Sequence, residues 1–298
     1  MVDEQMPDAG SGWVAVLGTG GTIASRRDAD GVIRPGGATP DFGPTATPVR
    51  VTTVMSRDSS TFDFAAMDRI VDAVEEALTE SGCLGVVVLH GTDTLEESAL
   101  AVDLFHDDPR PVVFTGAQRS ADHADPDGPA NAGHAVATVM DPANRGRGVL
   151  VCFGGTVHAA RGVRKVHTTA RDGFAGTPVQ RQILRRVRLQ GIRVDVVALY
   201  PGADEVVIDA LVAAGAHGLV LEAMGSGNAN QAIIAAVRRA VESGVRVVVT
   251  TRVAFGTIAP SYGGGADLVA AGASWEPELR AGQARVALAA AVAASAAG

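Results

Sequence analysis

Cysteine is nearly missing from the chain. The two present, Cys83 and Cys152, have no paired spacing, which excludes a disulfide framework and the common zinc patterns. Both lie in apolar runs and are expected in the core. Aromatic residues make up only 4% of the sequence, while alanine, valine and glycine are abundant, so close helix-on-sheet layers fit better than a β-sandwich. No apolar run approaches the ~18 residues of a membrane span, and residues 1–11 are acidic and polar with no apolar signal region. A soluble, cytoplasmic protein is expected. Positive charge is also in deficit, with 25 Lys and Arg against 33 Asp and Glu and a net charge of −8. That balance argues against nucleic acid or an anionic membrane as the partner.

What the 298 residues do contain is an apolar run that breaks into glycines and hydroxyls, Val14-Ala15-Val16-Leu17-Gly18-Thr19-Gly20-Gly21-Thr22-Ile23-Ala24-Ser25. A continuous apolar run bounded by glycine reads as a buried parallel strand, and open α/β sheets bind ligands beyond the carboxyl ends of such strands. Two familiar glycine loops fail here. The dinucleotide pattern would need a third glycine where Ile23 stands, and the phosphate-binding loop would need a Gly-Lys-Ser/Thr that is absent.

Further along, residues 25–48 are too polar and too long for an ordinary connector, a length typical of lids or disorder. A short strand at 51–55 runs into Ser56-Arg57-Asp58-Ser59-Ser60, and 64–79 shows helical spacing. The cleanest buried strand, 84–89, ends in His90-Gly91-Thr92-Asp93-Thr94 before a helix to 104. Strands at 111–114 and 149–153 bracket a helix at 130–140. Residues 177–190 turn basic and mark the crossing to a second domain. Beyond it, 194–199, 218–222 and 245–250 read as strands, alternating with helices at 206–214, 231–243 and near the carboxyl terminus. Such alternation implies right-handed crossovers in parallel sheets. The expected architecture is α/β: a larger N-terminal domain (1–180) with a mainly parallel sheet flanked by helices, a linker (181–192), and a smaller C-terminal parallel α/β domain (193–298).

Three strand ends of the first domain carry hydroxyl clusters, and Lys165 follows a fourth strand. An alcohol attacks only as its proton is removed, and a desolvated lysine can serve as the base. Thr22, Thr92, Asp93 and Lys165 would then be nucleophile, relay, orienting carboxylate and base. Taken singly, Thr92 or Asp93 could equally cap the next helix, and Lys165 could be solvated.

Thr19-Gly20-Gly21-Thr22-Ile23-Ala24 and Val87-Val88-Leu89-His90-Gly91-Thr92-Asp93-Thr94-Leu95-Glu96-Glu97 resemble the two signatures of the bacterial-type L-asparaginase family. Agreement continues through Gly116-Ala117-Gln118-Arg119, Asp127-Gly128-Pro129-Ala130-Asn131, Lys165 and Gly225-Ser226-Gly227-Asn228-Ala229-Asn230, nearly the whole chain. The resemblance implies that Thr22 attacks the side-chain amide of L-asparagine to give an acyl-enzyme and ammonia, and that water then releases L-aspartate. Thr92 and Lys165 would activate the hydroxyl or the water, Asp93 would hold the substrate's ammonium, Ser59 its carboxylate, and N–H groups near Gly91 the oxyanion. Asp58-Ser59-Ser60 is similar to the cytosolic branch. By the same resemblance Asn230 reaches the site of a neighbouring protomer, implying a homodimer or homotetramer, with no metal or organic cofactor.

The family's loop tyrosine has no counterpart, because Val32 follows Gly31 and the chain's two tyrosines are Tyr200 and Tyr262. Tyr262, in a glycine run read as a flexible loop, is one possible replacement hydroxyl; Lys165 acting through Thr92 is the other. The same departure leaves glutamine or another small amide open as substrate, and also a catalytically weak homologue that binds an amino acid. Asp122, Asp125 and Asp127 resemble a calcium loop only superficially and read as a solvated turn. The arginines between Arg181 and Arg188 read as surface ion pairs or an interface.

Overall fold

The computed structural model describes residues 12–21, 23, 25–27, 30, 33–35 and 47–296. The chain divides into two compact units, 1–184 and 185–298.

The first unit runs β1 (Trp13–Gly18), β2 (Ser25–Arg27), β3 (Ile33–Pro35), β4 (Val49–Thr53), α1 (Phe64–Thr79), β5 (Cys83–Leu89), α2 (Leu95–Phe105), β6 (Val112–Thr115), α3 (Gly128–Met140), β7 (Val149–Phe153), β8 (Thr156–Ala159), β9 (Val163–Lys165) and β10 (Phe174–Gly176). Six strands form one sheet in the order β4-β1-β5-β6-β7-β8, parallel except that β8 returns antiparallel to β7. Alternate strand residues point to opposite faces. Val14, Val16, Val87, Leu89 and Val113 pack on Ala132, Ala135, Val136 and Val139 of α3. On the other side of β5, α1 and α2 pack together and against the sheet. With both faces covered, a strand such as β5 must be apolar throughout. Asp63 starts α1 by accepting the N–H of Ala66 at 2.9 Å.

Three details depart from the sequence reading. β2 and β3 pair antiparallel within the long polar loop, of which residues 28, 29, 31, 32 and 36–46, Val32 among them, lie outside the described ones. Later in the first unit, β9 and β10 form an antiparallel pair, invisible in sequence because strands of three residues are too short to carry apolar alternation. Asp127 is buried rather than solvated.

The second unit carries β11 (Val194–Ala198), α4 (Val206–Ala213), β12 (Gly218–Ala223), α5 (Gln231–Glu242), β13 (Arg246–Thr251), α6 (Gly263–Ala270), β14 (Ser274–Trp275) and α7 (Ala281–Ala296). Its strands are parallel in the order β11-β12-β13-β14, over a core that includes Ile208, Leu219, Leu221, Ile233, Val237 and Leu268. The alanines of α7 let that helix lie close on β11, β12 and β13. The glycines after Tyr262 open α6 instead of forming a flexible loop. A Cβ on Gly264 would meet the carbonyl of Ala229 at 2.8 Å and one on Gly265 would meet Pro260 Cα at 3.1 Å, so these glycines serve close packing. Among the described residues no helix is long and apolar enough to cross a membrane.

Candidate active site

In the first unit the parallel strands β4, β1, β5 and β6 deliver their following loops to one edge of the sheet. Thr19, directly after β1, is stitched to the end of β5: its N–H and Oγ1 both donate to the carbonyl of Leu89, at 3.0 and 2.9 Å. Gly20 and Gly21 follow with φ of +100° and +84°, a region that favours glycine. Contact enforces the choice as much as conformation does. A Cβ on Gly20 would lie 2.5 Å from the carbonyl oxygen of Arg57, and one on Gly21 would lie 2.4 Å from Gly91 Cα. One on Gly91 would in turn lie 2.5 Å from Ser59 Oγ. Three loops therefore meet at backbone distance, and Thr94 Oγ1 closes the cluster by donating to the carbonyl of Ser59 at 2.9 Å.

Ser59 is buried at this junction, whereas Asp58 and Ser60 on either side are exposed. Thr92 is buried too, and Lys165, at the end of β9, donates its Nζ hydrogen to Thr92 Oγ1 at 2.7 Å. Asp93 Oδ1 lies 3.4 Å from the same Nζ, with its carboxylate largely in solvent. The helix that follows has Thr94 at its N-cap position, without a side-chain cap, so neither Thr92 nor Asp93 fills the capping role that each could have filled. Thr22, the next residue after Gly21, lies outside the described residues.

Sequence reasoning passed over two side chains here. His90 is fully buried, with burial driving its pKa down to about 4. The neutral ring must donate from Nδ1, because its partner at 2.7 Å is the carbonyl of Gly91; Nε2 then accepts from the Ser98 hydroxyl at 2.9 Å. Phe62 stands edge-on to the ring at 5.1 Å. Glu96, in the first turn of α2, accepts the backbone N–H of Lys165. Burial pushes its carboxyl up to about 7 against the opposing effects of that hydrogen bond, Arg164 and Lys165.

Asp127 organises the neighbouring loop. Its carboxylate accepts the N–H groups of Gln118 and Arg119 at 3.0 and 2.9 Å, while Asn131 donates to the carbonyl of Gly116 at 2.9 Å. Among the described residues no group of histidines, cysteines or carboxylates could hold a metal ion.

In the second unit Asn230 caps α5. Its Oδ1 accepts from the N–H of Ile233 at 3.0 Å and its Nδ2 donates to the carbonyl of Ala203 at 2.7 Å. Tyr262 is the N-cap residue of α6 and 65% exposed.

Comparison with known proteins decides what this cluster belongs to. Residues 13–196 match the family model "Asparaginase, N-terminal", and residues 193–297 match "Glutaminase/Asparaginase C-terminal domain". The chain belongs to the asparaginase family. An L-asparaginase of Bacillus licheniformis is 33% identical over 84% of this chain and 84% of its own length. A probable L-asparaginase of Deinococcus radiodurans is 35% identical over 92% and 91%. Family members of another description are similar as well: a glutamyl-tRNA(Gln) amidotransferase component of Methanosarcina mazei is 31% identical over 91% of this chain and 71% of its own. An asparaginase-family amidohydrolase on a two-part α/β scaffold is what fold and relatives share.

Proposed function

We propose that the chain hydrolyses L-asparagine to L-aspartate and ammonia. The observation that carries the reading is the Lys165–Thr92 hydrogen bond, placed at the sheet edge where Gly21, Gly91 and Ser59 converge. Thr22, which follows Gly21 in the chain, attacks the amide carbon as its proton passes to Thr92, whose own proton passes to Lys165 Nζ as the free amine, and the ammonium so formed returns a proton to the leaving nitrogen. Backbone N–H groups of Gly91 and Thr92 receive the developing oxyanion. Collapse of the adduct expels ammonia and leaves the aspartyl ester on Thr22; water, activated by the same pair, releases L-aspartate and restores the hydroxyl. Ser59 takes the substrate's α-carboxylate and Asp93 its α-ammonium, an exposed carboxylate being suited to a charged ligand group. Of the two groups that could replace the missing loop tyrosine, Lys165 through Thr92 has geometry in its favour. The working species in this reading is a cytoplasmic homodimer or homotetramer.

The glutaminase/asparaginase description of the family model matched by residues 193–297 favours a second reading, in which the glutamine amide is the preferred source of ammonia. Ammonia release from asparagine and from glutamine, by the purified protein and by Thr22→Ala, separates the two. Equal release by both proteins, or tight aspartate binding with no release, would reject hydrolysis by Thr22.

A further inference from the structure

Lys165 closes β9, and β10 is the strand paired with it. The backbone N–H of Lys165 is given to the carboxylate of Glu96 on α2. At the far end of the same side chain, Nζ donates to Thr92 Oγ1 at 2.7 Å. Thr92 and Glu96 stand four residues apart across the entry to α2, so one short segment grips the lysine at its root and at its tip. Building on the asparaginase reading above, we propose that Glu96 is a positioning residue of the reaction: by holding the Lys165 N–H it fixes the origin of a flexible stem, so that the amino group is delivered to Thr92.

Physical reasoning supports the need for such a device. A lysine stem has many rotamers, and two other destinations compete for its tip, Asp93 Oδ1 at 3.4 Å and water, which reaches the 22%-exposed side chain. A three-residue strand tied on one side to another three-residue strand is a weak anchor by itself. A carboxylate acceptor strengthens the N–H bond over a neutral one. Glu96 faces Glu97 on its own helix, and Arg164 and Lys165 on β9. With its carboxyl pushed up to about 7 by burial, the charge-assisted grip forms as pH rises through neutrality.

The test uses full-length Glu96→Ala and Glu96→Gln, alone and with Lys165→Ala. Glu96→Ala should lower kcat on the order of 10²-fold, the usual cost of misplacing a catalytic group by about 1 Å, with KM within about threefold of the parent. Glu96→Gln, whose amide oxygen still accepts the N–H, should recover most of kcat and lose the limb of the kcat–pH profile near 7. In the Lys165→Ala background, Glu96→Ala should cost nothing further, since its effect passes through that lysine. Equal losses in both backgrounds, or an unchanged kcat in a folded variant, would overturn the proposal. Amide exchange gives a readout independent of turnover: Glu96→Ala should speed exchange at Lys165 by about tenfold or more while leaving Val163 unchanged, as expected where one hydrogen bond protects one amide. Unaltered exchange at Lys165 also overturns it. If the parent and Thr22→Ala release ammonia equally, the asparaginase reading fails while the exchange experiment still decides the grip.

Discussion

The amino group of Lys165 and the hydroxyl of Thr92 stand 2.7 Å apart across 73 residues of chain. A hydroxyl both accepts and donates, so Thr92 can take a proton on one side as it gives its own to the lysine nitrogen on the other. Lys165→Met and Thr92→Val should therefore each cut kcat by about 10²- to 10⁴-fold, or about 3 to 5 kcal/mol of barrier, the usual worth of a positioned acid–base group. Steady-state ammonia release measures it. The double variant should lose little more than either single one, because the two act as a unit; multiplicative losses would mean they act separately.

Gly21 and Gly155 share a left-handed backbone, with φ of +84° and +81°, but not a setting. An added Cβ meets Gly91 Cα at 2.4 Å in the first case and nothing within 4 Å in the second. Gly155→Ala should cost only the conformational term, about 1 kcal/mol, at the low end for a residue held in a sparsely populated region. Gly21→Ala should cost several times more and abolish turnover by forcing the β1 and β5 loops apart. Denaturant midpoints of the pair isolate the contact; equal losses would show that the loops part freely.

What could be read from the sequence and what could not follow the range of the forces involved. The apolar run that starts at Val14, the strands at 84–89 and 149–153 and the helix at 64–79 were legible because burial on both sheet faces, or on one helix face, writes an apolar pattern into neighbouring residues. The β9 and β10 pair left no such mark. Gly263 to Gly265 read as flexibility, yet Gly264 and Gly265 are packing contacts with Ala229 and Pro260, the first of them remote in the chain. At the site, Thr92 and Lys165 could be picked out because hydroxyls and a lysine at strand ends have obvious chemistry. Glu96 and His90 could not, since each acts through a backbone group whose position only the fold supplies.

Arg181 belongs to the basic stretch that suggested surface ion pairing. Its guanidinium Nε instead donates to the buried carboxylate of Asp103 at 2.7 Å, and Asp103 also accepts the N–H of Val149 at 3.0 Å. Removing one partner of a buried pair strands the other. Arg181→Ala should destabilise the first unit by about 3 kcal/mol, the low end of that penalty, whereas Arg50→Ala, whose partner Glu80 is about as exposed as itself, should cost under about 1 kcal/mol. Urea titration followed by tryptophan fluorescence tests both; similar losses would mean that Asp103 is stabilised without Arg181.

His90 makes stability depend on pH. Burial lowers its pKa from 6.5 to about 4, so between those values the unfolded chain binds a proton that the folded protein refuses. Its contribution is complete above pH 6.5 and is lost as pH falls towards 4, a swing of about 3 kcal/mol at 1.36 kcal/mol per unit. Glu96 acts in the opposite sense. Raised from 4.5 to about 7, its folded carboxyl resists ionisation, and that cost builds as pH rises across the same range. The two partly offset in the parent protein, so the informative quantity is the difference between the parent and His90→Gln, which keeps Glu96 and removes the imidazole. His90→Gln should be the less stable protein at pH 7, and the gap should narrow steadily below pH 6.5. A gap that stays constant down to pH 4 would show that the imidazole accepts its proton without leaving its site between Gly91 and Ser98.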